Sequence, residues 1–158
     1  MEVTIRRATS DDIDQIAKLF DDYRVFFQNI SDVSAAKEFL SHRLSNSESI
    51  IFCAYTADDR HLGFAQLYPS FSSVSLKRVW ILNDLFVHKN ARGMGIGTKL
   101  LNAIEVFSEE NQTKAILVET TISNTDAQKL YEANGYQKIP ERIFYERPIK
   151  TTAQHLNN

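Results

Sequence analysis

Apolar residues recur three and four positions apart at Ile13, Ile16, Ala17, Phe20, Tyr23 and Phe27, which predicts a helix with one continuous apolar face running to about Gln28. Thr9 or Ser10, followed by Asp11 and Asp12, supplies its N-cap and the acids of its first turn. Ahead of it, Val3 and Ile5 alternate with polar neighbours as in a short strand. A second stripe, Ala36, Phe39, Leu40 and Leu44, predicts a helix from about Val33 to Leu44, capped by Ser31 or Asp32.

The period then changes. Ser49 to Thr56 is rich in β-branched and aromatic residues and ends at the turn residues Asp58-Asp59-Arg60, so it reads as a strand entering a hairpin. Its partner runs from His61 to about Tyr68 and stops at Pro69 and a serine-rich loop. A longer strand follows from about Leu76 to His88, completing an antiparallel meander. Beyond a glycine-rich turn, Ile96, Leu100, Leu101, Ile104 and Phe107 mark a helix over 96–110. Ala115 to Glu119 reads as a buried strand, and Asn124 to Asn134 as an amphipathic helix closed by Gly135. Two short strands are expected at Tyr136 to Ile139 and Ile143 to Arg147. These elements predict one α+β domain, residues 1–149, with a mixed, mostly antiparallel sheet of six to seven strands and about four helices. A polar, mobile tail is expected over 150–158.

Composition narrows the chemistry. A chain of 158 residues supports a core unaided, and 43% hydrophobic with 24% charged residues excludes disorder as the main state. The net charge of −2 argues against nonspecific binding to nucleic acid or acidic membranes. The lone Cys53 excludes an internal disulfide and reads as an inert buried thiol, and His42, His61, His88 and His155 show no metal-ligand spacing, so no metal is expected. The opening MEVTIRRATSDD lacks the apolar stretch of a secretory signal, and no run approaches the roughly 20 apolar residues of a spanning helix. A cytoplasmic, reducing location is the expectation.

Three of the five glycines stand at 93, 95 and 97, between a strand and a helix start. Alternating glycines let successive N–H groups point into one concavity, and the helix terminus adds unpaired donors, an arrangement suited to phosphate oxygens. Arg92 adds a cation at the rim. A dinucleotide G-x-G-x-x-G loop would need glycine at position 98, where Thr98 stands, and no G-x-x-x-x-G-K-[ST] run occurs.

The run Arg92-Gly-Met-Gly-Ile-Gly97 resembles the [Q/R]-x-x-G-x-[G/A] loop of the GNAT superfamily of acyl-CoA-dependent N-acetyltransferases. Leu82-Asn-Asp-Leu-Phe-Val87 is similar to that family's fourth strand. Asn124, Ala127, Leu130, Tyr131 and Asn134-Gly-Tyr136 resemble its N-x-x-A-x-x-L-Y-x-x-x-G-[FY] signature. Two motifs in the right order are more specific than either alone. The fourth-strand phrase also resembles the L-E-D-F-F-V type of polyamine acetyltransferases, from which Asn83 departs.

The resemblance implies acetyl-CoA as co-substrate, its pyrophosphate on the N–H groups of Gly93, Met94, Gly95, Ile96, Gly97 and Thr98 with Arg92 beside them. Pantetheine would pair with backbone near Leu85, Phe86 and Val87, helped by Asn124. It further implies an amine acceptor and a homodimer. Transfer from a thioester to an amine requires loss of an ammonium proton, stabilisation of an oxyanion and a proton for the departing thiolate. A backbone N–H near Phe86 or Val87 suits the second task, and Tyr131 the third. For the base, Glu119 comes first and Asp84 second, although strand alternation places Asp84 opposite Asn83 unless a bulge intervenes. Tyr23, Phe27, Tyr68 and Trp80 are candidate acceptor walls, along with Phe26 and Phe71. The competing reading is a CoA-binding regulatory module without transferase activity.

Overall fold

In the computed structural model, which describes residues 2–150, eleven segments alternate between sheet and helix. The strands are β1 (Val3–Arg7), β2 (Ile50–Thr56), β3 (His61–Ser72), β4 (Lys77–Val87) and β5 (Ala115–Val118). The helices are α1 (Ile13–Phe26), α2 (Val33–Ser45), α3 (Ile96–Glu110) and α4 (Thr125–Ala133), with one-turn 3-10 segments at Ser10–Asp12 and Lys89–Ala91. The sheet order is β1-β2-β3-β4-β5, antiparallel except for the parallel β4–β5 pair. One face packs on α3, where Leu67, Trp80, Leu82, Ile96, Leu100 and Ile104 are buried. The other packs on α1 and α2 through Ile16, Phe20, Leu40, Ile51, Phe64 and Phe86.

Local chemistry explains most boundaries. Thr9 and Asp12 form a reciprocal capping box, Asp32 Oδ1 accepts from the Ala35 N–H at 2.9 Å, and Asn124 Oδ1 accepts from the Ala127 N–H at 3.2 Å. Pro69 does not end β3 as expected. The β2 ladder stops at Ile50↔Leu67, so beyond that pair β3 has an open side, where a missing N–H costs nothing.

The expected six to seven strands are five among the described residues, and neither Tyr136–Ile139 nor Ile143–Arg147 is a strand. After α4 the chain turns under its own helix instead. The Tyr136 N–H donates to the Tyr131 carbonyl at 3.0 Å, and Lys138 pairs with Glu132 at 3.0 Å. β-propensity describes fit to a neighbouring ladder, and these residues join none, although the outer edge of β5 is unpaired: Ile143, Phe144, Tyr145 and Ile149 stay exposed. Of the tail read from residue 150 onward, 151–158 lie outside the described residues. Among the described residues, 2–150, no helix is long and apolar enough to cross a membrane.

Tertiary structure also gathers what sequence spacing does not show. Asp12, Cys53 and His61 bring ligand atoms within 4.8 Å of one another. The Asp12 carboxylate already accepts from Arg6 Nη1 at 2.7 Å and from the Thr9 N–H at 2.8 Å, so a cation from the protein itself fills that position. Cys53 is fully enclosed, and burial pushes its thiol up to about 12, in keeping with an inert residue.

Candidate active site

β4 carries the site because its pairing changes midway. On one side, β5 accompanies it only from Val79↔Ala115 to Leu82↔Val118. Past that point the two strands part, and Leu85, Phe86 and Val87 keep ladder partners only on β3. On the other side, the register shifts between Gln66 and Leu67, which face Asp84 and Leu82, so Asn83 is an extra residue bulged out of the ladder.

The bulge turns Asp84 toward α1. Its carboxylate is 4% exposed and accepts from Gln66 Nε2 at 2.7 Å and from Asn83 Nδ2 at 3.1 Å, with the Tyr23 phenol as a third donor. Burial raises the Asp84 pKa above the usual carboxylate range, and those three donors only partly offset it. Burial also raises Tyr23, and the charge of Asp84 adds to the effect. Gln66 Nε2 reaches the Tyr68 hydroxyl as well, at 3.1 Å, and Tyr68 is pushed up to about 12 by burial and by Asp84. Gln66 was not among the expected site residues. Its signal is a single amide inside the apolar run Leu62 to Tyr68, and it is fully buried.

The predicted walls divide. Tyr23 and Tyr68 adjoin Asp84, and the Tyr23 ring lies 6.2 Å from that of Phe86 and 4.9 Å from that of Phe27, which is exposed at the edge of the pocket. Trp80 does not join them. It precedes the bulge, faces α3 and packs 5.5 Å from the Phe107 ring.

β4 ends in the glycine loop. Gly93 and Gly95 have φ of 77° and 72°, conformations that L side chains adopt reluctantly, and a Cβ at either would meet nothing within 4 Å. At Gly97 the reason is contact, since a Cβ there would fall 2.9 Å from Leu130 of α4. Gly95 caps α3 without a side-chain bond, and among the described residues the N–H groups of Gly93 to Thr98 have no protein acceptor. Arg92 Nε donates to the Val87 carbonyl at 3.1 Å and holds the guanidinium 5.8 Å from both Phe26 and Phe86. The cation thus links the loop to the aromatic rim of the Asp84 pocket.

Tyr131, on α4, is half-buried with its ring 5.6 Å from that of Tyr136. Burial raises its phenol. Glu119, just past β5, is exposed and lines a cavity of about 1350 Å³ together with Tyr131. Asn124 Oδ1 is committed to capping α4.

Comparison with known proteins agrees with this geometry. Residues 13–136 match the model of the acetyltransferase (GNAT) family. An uncharacterized N-acetyltransferase of Bacillus subtilis, YhfO, is 45% identical over 90% of this chain and 95% of its own. A probable acetyltransferase of Haemophilus influenzae is 28% identical over 84% of this chain and 89% of its own. The crystal structure of a probable acetyltransferase superposes with a TM-score of 0.89 at 41% identity, covering 94% of this chain and 99% of that one. The parted β4–β5 strands, the open N–H groups of the glycine loop and these matches lead to one conclusion: the chain belongs to the GNAT family of acetyltransferases.

Proposed function

We propose that the chain moves the acetyl group of acetyl-CoA to a primary amine by direct attack in a ternary complex. The observation that carries this reading is the turn from Gly93 to Thr98, a row of N–H groups without protein acceptors at the start of α3, next to backbone that has lost its β5 partner. Glycines at positive φ, with open space where a Cβ would stand, leave room for a diphosphate, so the residues present fit that group. Acetyl-CoA supplies the acetyl thioester: a C–N bond forms as the C–S bond breaks.

The chain's own groups then divide the work. The loop N–H groups hold the phosphates, and the backbone of Leu85 to Val87 aligns the arm, with an N–H near Phe86 or Val87 directed at the thioester oxygen. Asn124, through its remaining amide, steadies the same arm. Tyr131 remains protonated at neutral pH because burial raises its phenol, so it can give its proton to the departing sulfur. Asp84, a stronger base than an exposed carboxylate, takes the proton of the attacking ammonium, while Tyr23 and Phe27 receive that cation by cation–π contact. A second reading gives the base role to Glu119, favoured by its place in the cavity that Tyr131 also lines.

The chain acts in this reading as a homodimer, supported by the apolar side chains of residues 143–149 that remain exposed. Light scattering giving a monomer mass would remove that part. Calorimetric titration with acetyl-CoA, followed by CoA release across a panel of amino acids, arylalkylamines, polyamines, aminoglycosides and peptides, tests the rest. Saturable binding and release with at least one amine are expected. Binding without release from any acceptor would return the reading to a CoA-binding module. Tyr131→Phe should lower turnover far more than acetyl-CoA affinity, and unchanged turnover would remove Tyr131 from the reaction.

A further inference from the structure

Trp80, displaced from the acceptor pocket by the bulge, lines a second cavity at the opposite end of the sheet. This cavity of about 730 Å³ lies between the end of β1, the start of α1, one side of α2, the start of β2, Pro69 of β3 and the first half of β4. Its wall holds three cations, Arg7, Lys37 and Arg78, against one carboxylate, Asp14, which Lys37 already pairs at 2.5 Å.

The two arginines have no carboxylate partner among the described residues. Arg78 rests over the Phe71 ring at 4.2 Å and the Trp80 ring at 5.2 Å, and Arg7 lies 5.9 Å from the Phe107 ring. Aromatic faces orient a guanidinium without using up its N–H donors. The indole Nε1–H of Trp80 and the Ser49 hydroxyl are closed to solvent, so they face the protein rather than the cavity.

From two guanidinium groups in one cavity wall, neither paired with a carboxylate among the described residues, we infer that the cavity is a second binding site, which takes a small organic molecule through a carboxylate or phosphate group. The oxyanion is held by Arg7 and Arg78 and leaves the apolar body of the ligand against Ile50 and Pro69. The site is separate from the acetyl-transfer centre and does not depend on its assignment, because its wall contains none of Asp84, Tyr23, Gln66 and Tyr68 and no residue of the glycine loop.

Trp80 is the single tryptophan of the chain, so its fluorescence reports this cavity directly. The protein would be titrated with inorganic phosphate, phenyl phosphate and benzoate at constant ionic strength, with chloride as the control, reading Trp80 emission and the melting temperature. Saturable emission changes and a rise in Tm are expected, with phenyl phosphate or benzoate tighter than inorganic phosphate. Arg78→Gln should weaken binding about tenfold or more, whereas Arg92→Ala should leave it unchanged. Arg7→Gln carries the same expectation as Arg78→Gln and should also lose the Tm response. Emission that changes no more than with chloride would overturn the inference. So would binding lost in Arg92→Ala but kept in Arg78→Gln, which would place the anion on the glycine loop.

Discussion

Leu82 and Asp84 are both buried but face opposite sides of the sheet, because Asn83 is bulged out of the β3–β4 ladder between them. In a regular strand, residues two apart share a face. One inserted residue therefore lets β4 fill the α3 core with Trp80 and Leu82, then present a carboxylate to the aromatic pocket on α1. The bulge sits where β5 ceases to accompany β4, so the strand changes face as its other edge becomes free.

Inserting one residue between Gln66 and Leu67 would give Asn83 a ladder partner, restore the alternation and carry Asp84 toward the apolar side chains around α3. A buried carboxylate without donors costs several kcal/mol, so loss of acetyl transfer together with a fall in stability of about 2 kcal/mol or more is expected. Chemical denaturation and CoA release measure the two effects. An insertion variant of normal stability and activity would mean that the bulge is not what places Asp84.

Asp84→Asn should separate stability from activity. Burial raises the Asp84 pKa in the folded protein. Between the unfolded and folded values, the folded state binds more protons, so the ionised group lowers stability as pH rises through that window. The neutral amide lacks this penalty, and Asp84→Asn should melt higher than wild type at neutral pH. Turnover should drop about a hundredfold, and the acidic limb of the pH–rate profile, displaced upward from the ordinary carboxylate range, should vanish. A retained limb in Asp84→Asn that is lost in Glu119→Gln would move the base to Glu119.

Gly95→Ala isolates the loop conformation. A Cβ at φ of 72° meets no neighbour, so the cost is the backbone preference alone, about 1 kcal/mol. Acetyl-CoA affinity should fall about tenfold while turnover at saturation changes little. Equal affinity in the variant would show that the open N–H groups do not bind the phosphates.

Acid stability should depend on Asp12. Burial opposes its ionisation, but donation from Arg6, Thr9 and His61 outweighs burial and lowers its pKa to about 2. A depressed carboxyl contributes stability above its unfolded value near 4, and that contribution is lost as pH falls toward 2. Asp12→Asn should cost about 2 kcal/mol at pH 7 and flatten the stability curve below pH 4. Urea midpoints measured across pH 2 to 7 test this, and parallel curves for the two proteins would exclude it.

Periodicity and capping residues were enough to place all four helices and the first five strands, because those signals are local: a stripe at helical spacing, or a side chain that reaches an N–H three residues away. The glycine loop and Tyr131 were legible for the same reason, since both belong to short contiguous motifs. The two strands expected after α4 did not form, because a strand needs an edge to pair with and no residue encodes one alone. The face to which Asp84 turns was equally out of reach, set by a one-residue register shift against Gln66 and Leu67, far away in the chain. The same shift decided that Trp80 lines a different cavity from Tyr23 and that Gln66 holds Asp84. Short-range order followed from the amino acids themselves, whereas the choice of face for each functional side chain was made only when β3 and β4 came together.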